Sequence, residues 1–315
     1  MEINASAYLF WMAGSCLISF GLFLLFTKGI PRKPAFTFTG LLLSVFFGAV
    51  CSKLLYYLFR LDFIIAESGW LSYLTDTAPE SFSFFGGAAG VCAGMALTAK
   101  LFSQKPADVL NSFAPFGLLL AALARFGEYF LGMLGTGAYV ENEALCFFPL
   151  SVGFRFSEDW TEWYKAIFMA EGAFLLLVAL LSALRFRKHR FLRSAFWMCL
   201  PQILLENLLS GSMMIYTFIR AEQLACMIAM FVILILYGVR ARGQRFRWVP
   251  AAMAMLSAGI FILSEFAMDG KIAFLQFMDL TACYGLMAFG QLLLAVAEIT
   301  GFRRLLRAEG TEVRA

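Results

Sequence analysis

Charge is scarce in this sequence. Asp, Glu, Lys and Arg make up 15% of its 315 residues, against about 25% in an ordinary soluble domain. The hydrophobic share is 61% and the aromatic share 17%, which excludes disorder and a disulfide-stapled secreted domain. Proline occurs only 8 times, so a collagen-like chain is excluded too. Histidine occurs once, as His189 among Arg185, Arg187, Lys188 and Arg190. With one histidine there is no His cluster for zinc, and that basic loop offers no Ser-His-Asp or Cys-His arrangement. Hydrolase and metalloenzyme readings are therefore poor, and no metal or cofactor is expected. The 7 cysteines form no CxxC spacing, and all but Cys146 lie inside apolar runs, where they read as small core residues. No Lys/Arg block stands apart from the apolar segments, which speaks against nucleic acid as a partner. No internal repeat is evident. The start lacks a basic n-region, so no cleavable signal peptide is expected.

Long apolar runs are abundant. A spanning helix needs about 20 mostly apolar residues. Nine segments meet that length, near 7–27, 35–58, 83–103, 108–127, 166–184, 195–217, 222–239, 248–265 and 279–298. They are too long and too little alternating for barrel strands. The expected fold class is all-α, a polytopic membrane helical bundle.

Orientation follows from the connections. Eighteen of the 25 basic residues cluster at Lys28–Lys33, Lys100–Lys105, Arg185–Arg193, Arg240–Arg247 and the tail from Arg303. These ends fall on one side if all nine segments cross, and most acids fall on the other. The positive-inside rule then places the N-terminus outside and the C-terminus in the cytoplasm. Two outer connections, 60–82 and 125–163, are long enough to build an arm and a small head. Function is accordingly expected in the outer half.

Charges within the bilayer are costly and point to function. Lys53 follows 19 uncharged residues. Arg125 and Glu128 lie three apart, on one helical face. Glu171 sits two turns into the fifth segment, and Glu206, with Gln202, Asn207 and Ser210, in the middle of the sixth. One reading is a cationic pocket, Lys53 with Arg125, that holds an anionic lipid headgroup. The other is that both cations snorkel to the interface while Glu206 pairs with a neighbouring helix. Gly86 and Gly87 admit either a ligand or a closely packed helix. Outer-face base chemistry would fall to Glu128, Glu206 or a Tyr.

These residues, in this order, resemble the prolipoprotein diacylglyceryl transferase family over about residues 1–240. Tyr8 matches a Tyr near the start of its first helix. Gly48 to Tyr57 resembles G-x-R-x-x-Y, with Lys53 for the Arg and Tyr56 retained. Ser83 to Gly87 resembles S-F-H-G-G, with Phe85 for the histidine. Ala114-Pro115 through Arg125 to Gly132 resembles A-P…G-R-x-G-N-F-x-N-G, with Glu128 for an Asn. Gln202 to Glu206 resembles R-F-x-x-E, with Gln202 for the Arg, and Gln223 resembles the Gln that opens the last family helix.

The resemblance implies a seven-helix core over 1–240 with an outer arm (60–82) and head (125–163), and a two-helix extension with a basic tail over 241–315. It implies diacylglyceryl transfer from phosphatidylglycerol to the lipobox cysteine thiol of prolipoproteins, at the outer face of the bacterial inner membrane. The partners implied are phosphatidylglycerol, prolipoprotein signal peptides and membrane lipids. Arg125, Glu128 and Tyr8 are the expected catalytic residues. Lys53, Tyr56, Ser83, Gly86, Gly87, Gly132, Gln202 and Glu206 are the expected substrate-binding ones. The lost histidine and arginine keep one alternative open, a catalytically inactive relative that binds anionic lipid or lipoprotein substrate, and Glu171 and Glu206 within the bilayer keep open another, a transporter.

Overall fold

The structure is a computed structural model that describes residues 4–30, 32–61, 78, 81–156, 160–209, 214–215, 219–268, 270 and 278–312. The expected outer arm over 60–82 lies mostly outside these residues, as does Ser210. The described residues are mostly helical, and among them eight helices are long and apolar enough to cross a membrane. It is a multi-pass membrane protein.

The helices are α1 (Ala5–Phe26), α2 (Lys33–Phe59), α3 (Phe84–Leu101), α4 (Pro106–Gly127), α5 (Ile167–Leu184), α6 (Arg190–Leu205), α7 (Ala221–Arg240), α8 (Val249–Met268) and α9 (Leu280–Glu312). Local chemistry sets their starts. The Asn4 side chain accepts the Ala7 amide at 2.9 Å and caps α1. Ser83 does the same for α3 through Gly86 at 3.1 Å. Pro106 opens α4, where its missing N–H costs nothing.

Two compact units emerge. The first comprises Met1–Ser194 with Leu208–Ser212, the second Ala195–Asn207 with Met213–Ala315. The division falls inside α6 and follows packing, whereas the boundary at 240/241 came from the family resemblance.

In the first unit α2 and α3 pack along their lengths, α4 lies against α1, α3 and α5, and Phe20, Phe23, Phe36 and Phe113 fill the core. Between α4 and α5 lies the stretch in which a head is expected. It holds an antiparallel hairpin, β1 (Ser151–Arg155) and β2 (Thr161–Lys165), with Ser151 opposite Lys165. Val152, Phe154, Ala166 and Phe168 form a small core beneath it. In the second unit α7, α8 and α9 pack on one another.

The segment expected over 195–217 departs from a plain span. α6 has 16 residues and continues only as a 3-10 turn, Glu206–Leu208. Its length of about 24 Å falls short of the roughly 30 Å hydrocarbon core. Pro201 removes a donor inside the helix. The Ile203 carbonyl accepts the Gln223 side chain at 3.0 Å. Beyond it lies a second antiparallel pair, β3 (Met214–Ile215) and β4 (Ile219–Arg220). At the other extreme α9 runs 33 residues, well past the expected end at 298.

Candidate functional site

A charge cluster occupies the end of α4. Arg125 Nη1 lies 2.6 Å from Glu128 Oε1, and its Nε 2.8 Å from Glu171 Oε2. The Arg125 and Glu171 side chains are 5% and 1% exposed, so this is an ion triad inside the bundle. The guanidinium carbon also sits 3.9 Å from the centre of the Phe84 ring, a cation–π contact that shields it further. Glycine makes the enclosure possible. At Gly127 a Cβ would stand 2.5 Å from Trp11 and 3.2 Å from Tyr8, so the start of α1 closes onto the end of α4. Gly135, with φ +77°, lets its backbone pass directly against Glu128 Oε2. Trp11 Nε1 donates to the Leu123 carbonyl at 2.6 Å, and the Asn4 amide to Phe130 at 2.9 Å, which pins the same corner. Tyr8 thus stands beside the triad, within electrostatic reach of Glu128 and Arg125.

Lys53 is half-buried on α2. Its Nζ donates to Ser81 Oγ at 2.5 Å and lies 4.8 Å from the Phe82 ring centre. Lys53 and Arg125 therefore both engage the short stretch Ser81–Phe84 that leads into α3, through Phe82 and Phe84. Ser52 Oγ donates to the Ser83 carbonyl at 2.5 Å, and the Ser83 amide to Ser52 at 3.2 Å, so that stretch is stitched to α2. Ser83 is buried and occupied as helix cap and stitch. Phe85 is a buried core residue packed edge-on to Phe84.

Other expected residues divide between packing and the second unit. A Cβ at Gly86 would stand 2.5 Å from the Cys51 carbonyl, so α2 takes up the space there, the helix-packing alternative. Gly87 has only ordinary contact with Ser52, at 3.8 Å. Tyr56 stacks with Arg60, whose guanidinium carbon lies 5.7 Å from its ring centre. Gly132 adopts φ +69°, a conformation only glycine takes easily. Gln202 and Glu206 belong to the second unit, both buried, with Gln202 Nε2 donating to Glu206 Oε2 at 2.9 Å.

Sequence reasoning passed over Ser81, Phe82 and Phe84. Two phenylalanines among 36 carry no signal until the fold brings cations onto them. In the head, Tyr164 Oη donates to Glu162 Oε2 at 2.7 Å. That hydrogen bond to a carboxylate, with a small contribution from burial, raises the phenol above its ordinary range. Among the described residues no group of His, Cys, Asp and Glu is arranged to hold a metal ion.

Fold and site together define a polytopic helical membrane protein with a buried ion triad at one end of its first unit. No protein-family profile, curated protein or solved structure matches the chain.

Proposed function

We propose that this chain transfers diacylglyceryl from phosphatidylglycerol to the lipobox cysteine thiol of prolipoproteins at the outer face of the bacterial inner membrane. The observation that supports it best is that Lys53 and Arg125 both engage the stretch Ser81–Phe84, with Glu128 paired to Arg125 and Tyr8 beside that pair. In the reaction a C–S bond forms as the bond between the glyceryl carbon and the phosphate oxygen breaks. The phosphate oxygen keeps the electron pair and leaves as glycerol phosphate, while the thiol proton passes to a base. Lys53 faces the developing phosphate charge as a point cation. Glu128 takes the proton with Tyr8 assisting. Arg125, already engaged by two carboxylates, orients Glu128. Tyr56, Gly87 and Gly132 keep the substrate-binding roles that the resemblance implies, whereas Ser83 and Gly86 are taken up by capping and helix packing.

One feature favours a second reading, a catalytically inactive relative that binds anionic lipid or lipoprotein substrate. Glu128 Oε1 pairs with Arg125 at 2.6 Å and the side chain is only 13% exposed, so the carboxylate is held within the triad. Phe85 brings no proton acceptor in place of the family histidine.

The test is an assay for the thioether-linked product with the full chain in phosphatidylglycerol liposomes and a lipobox peptide. Product is expected, falling about 100-fold or more in Glu128→Gln, the scale of a lost general base. Unchanged turnover in Glu128→Gln removes that residue from its role. Absence of product from wild type, with phosphatidylglycerol still bound, leaves the inactive binder.

A further inference from the structure

A groove of about 900 Å³ runs along α1, α4 and α5 within the first unit. One end carries Lys28, Arg190 and Ser112, and the other reaches Phe126 and Ala173. Between these ends the walls are aliphatic and aromatic, with Leu177 open to the outside at 52% exposure. Pro115 lies inside α4 in the same wall, where it removes a backbone donor. From Ser112 to Phe126, α4 rises about 21 Å at 1.5 Å per residue, enough to traverse one leaflet of about 15 Å. The groove is thus as deep as an acyl chain is long within its own leaflet.

The polar end decides the occupant. Lys28 follows the last turn of α1 and is exposed, while Arg190 opens α6 and donates from Nε to the Phe186 carbonyl at 2.7 Å, which fixes its guanidinium. No carboxylate lines the groove. A point cation and a planar fork over an apolar trench match a phosphate with net negative charge above an acyl chain.

We infer that this groove is a binding site for one anionic phospholipid, whose acyl chain lies against α4 and α5 and whose phosphate meets Lys28 and Arg190. The site belongs to the end of the bundle where the basic connections gather, opposite the Arg125 triad. It is separate from the proposed reaction and independent of whether that reaction occurs.

Native mass spectrometry of the delipidated full chain, reloaded with phosphatidylserine, an anionic lipid other than the proposed substrate, or with phosphatidylcholine, tests this. Wild type is expected to retain one phosphatidylserine at least tenfold better than phosphatidylcholine. Lys28→Gln with Arg190→Gln is expected to weaken that retention about 10- to 30-fold, the scale of two surface cations on an anionic lipid. Ala173→Phe places a ring on an exposed position in the trench and leaves both cations, and it is expected to expel the lipid as well. Equal retention of the two lipids by wild type overturns the inference. So does undiminished phosphatidylserine in the double variant.

Discussion

At the scale of single residues, Arg125 governs the first unit. A guanidinium with two carboxylates around it is tolerated inside an apolar bundle only as a set, because each buried ion alone carries a large desolvation cost. Removing one partner is worse than removing all. Arg125→Ala leaves Glu128 and Glu171 facing each other in a site 1–13% exposed. It is expected to cost about 3–5 kcal/mol of stability, the usual scale for breaking a buried pair. Adding Glu128→Gln and Glu171→Gln to that variant is expected to restore much of the loss. Thermal unfolding in detergent checks both, and a triple variant no more stable than the single one overturns the account. For the same reason Arg125→Ala is a poor probe of catalysis, since lost activity would report lost folding. Lys53, Arg125 and Glu128 were legible in the sequence because charges stand out in apolar runs. The Arg125–Glu171 pair was not, because only the packing of α5 on α4 joins residues so far apart in the chain.

At the scale of elements, the α2–α3 pair rests on three glycines one turn apart, Gly86, Gly90 and Gly94. At each, an added Cβ would enter the α2 backbone: Cys51 and Ser52 at Gly86, Phe47 and Gly48 at Gly90, Leu43 and Ser44 at Gly94. Helices in lipid gain little from burying apolar surface, so close backbone approach through small residues supplies the attraction. Gly90→Val is expected to destabilise the fold by about 1–3 kcal/mol, as overpacking does. Gly87→Ala, with 3.8 Å to its nearest neighbour, is expected to be nearly neutral. Unfolding titrations in mixed micelles distinguish the two, and equal effects would remove the glycine ladder as the cause. The small-residue spacing was visible in the sequence as a choice between ligand and helix, and at Gly86 packing made the choice. The shortened α6 shows the reverse case. Its composition reads as one long span, yet the helix ends at Leu205, where the Ile203 carbonyl accepts the Gln223 side chain. Broken backbone at membrane depth persists only where protein groups satisfy it, and the buried Gln223, which donates to the Ile203 carbonyl, is such a group.

At the scale of the whole molecule, α6 decides the topology. Eight full spans alone would return both termini to one side. The basic connections argue otherwise: 28–33, 100–105, 185–193, 240–247 and the tail share a side only if α6 and its short continuation also cross. The expected outcome is an N-terminus outside and a C-terminus in the cytoplasm, with the 240–247 loop on the cytoplasmic side. Reporter fusions at Ser103, Gln244 and after Ala315 check it: all three should report cytoplasm. An outer location for the last two would mean that α6 does not cross.

Composition and run length by themselves determined that this is a polytopic helical membrane protein, and where most of its helices lie. They could do so because lipid offers the backbone no partner, so any apolar run of about 20 residues must close its own hydrogen bonds as a helix. Charge placement gave an expected orientation and singled out the few residues that oppose the bilayer. What each of those residues touches depended on tertiary structure: that Glu171 reaches Arg125, that Phe82 and Phe84 receive the two cations, and that Gly86 faces a helix. Such contacts join positions tens of residues apart through packing geometry, which no local pattern of residues encodes.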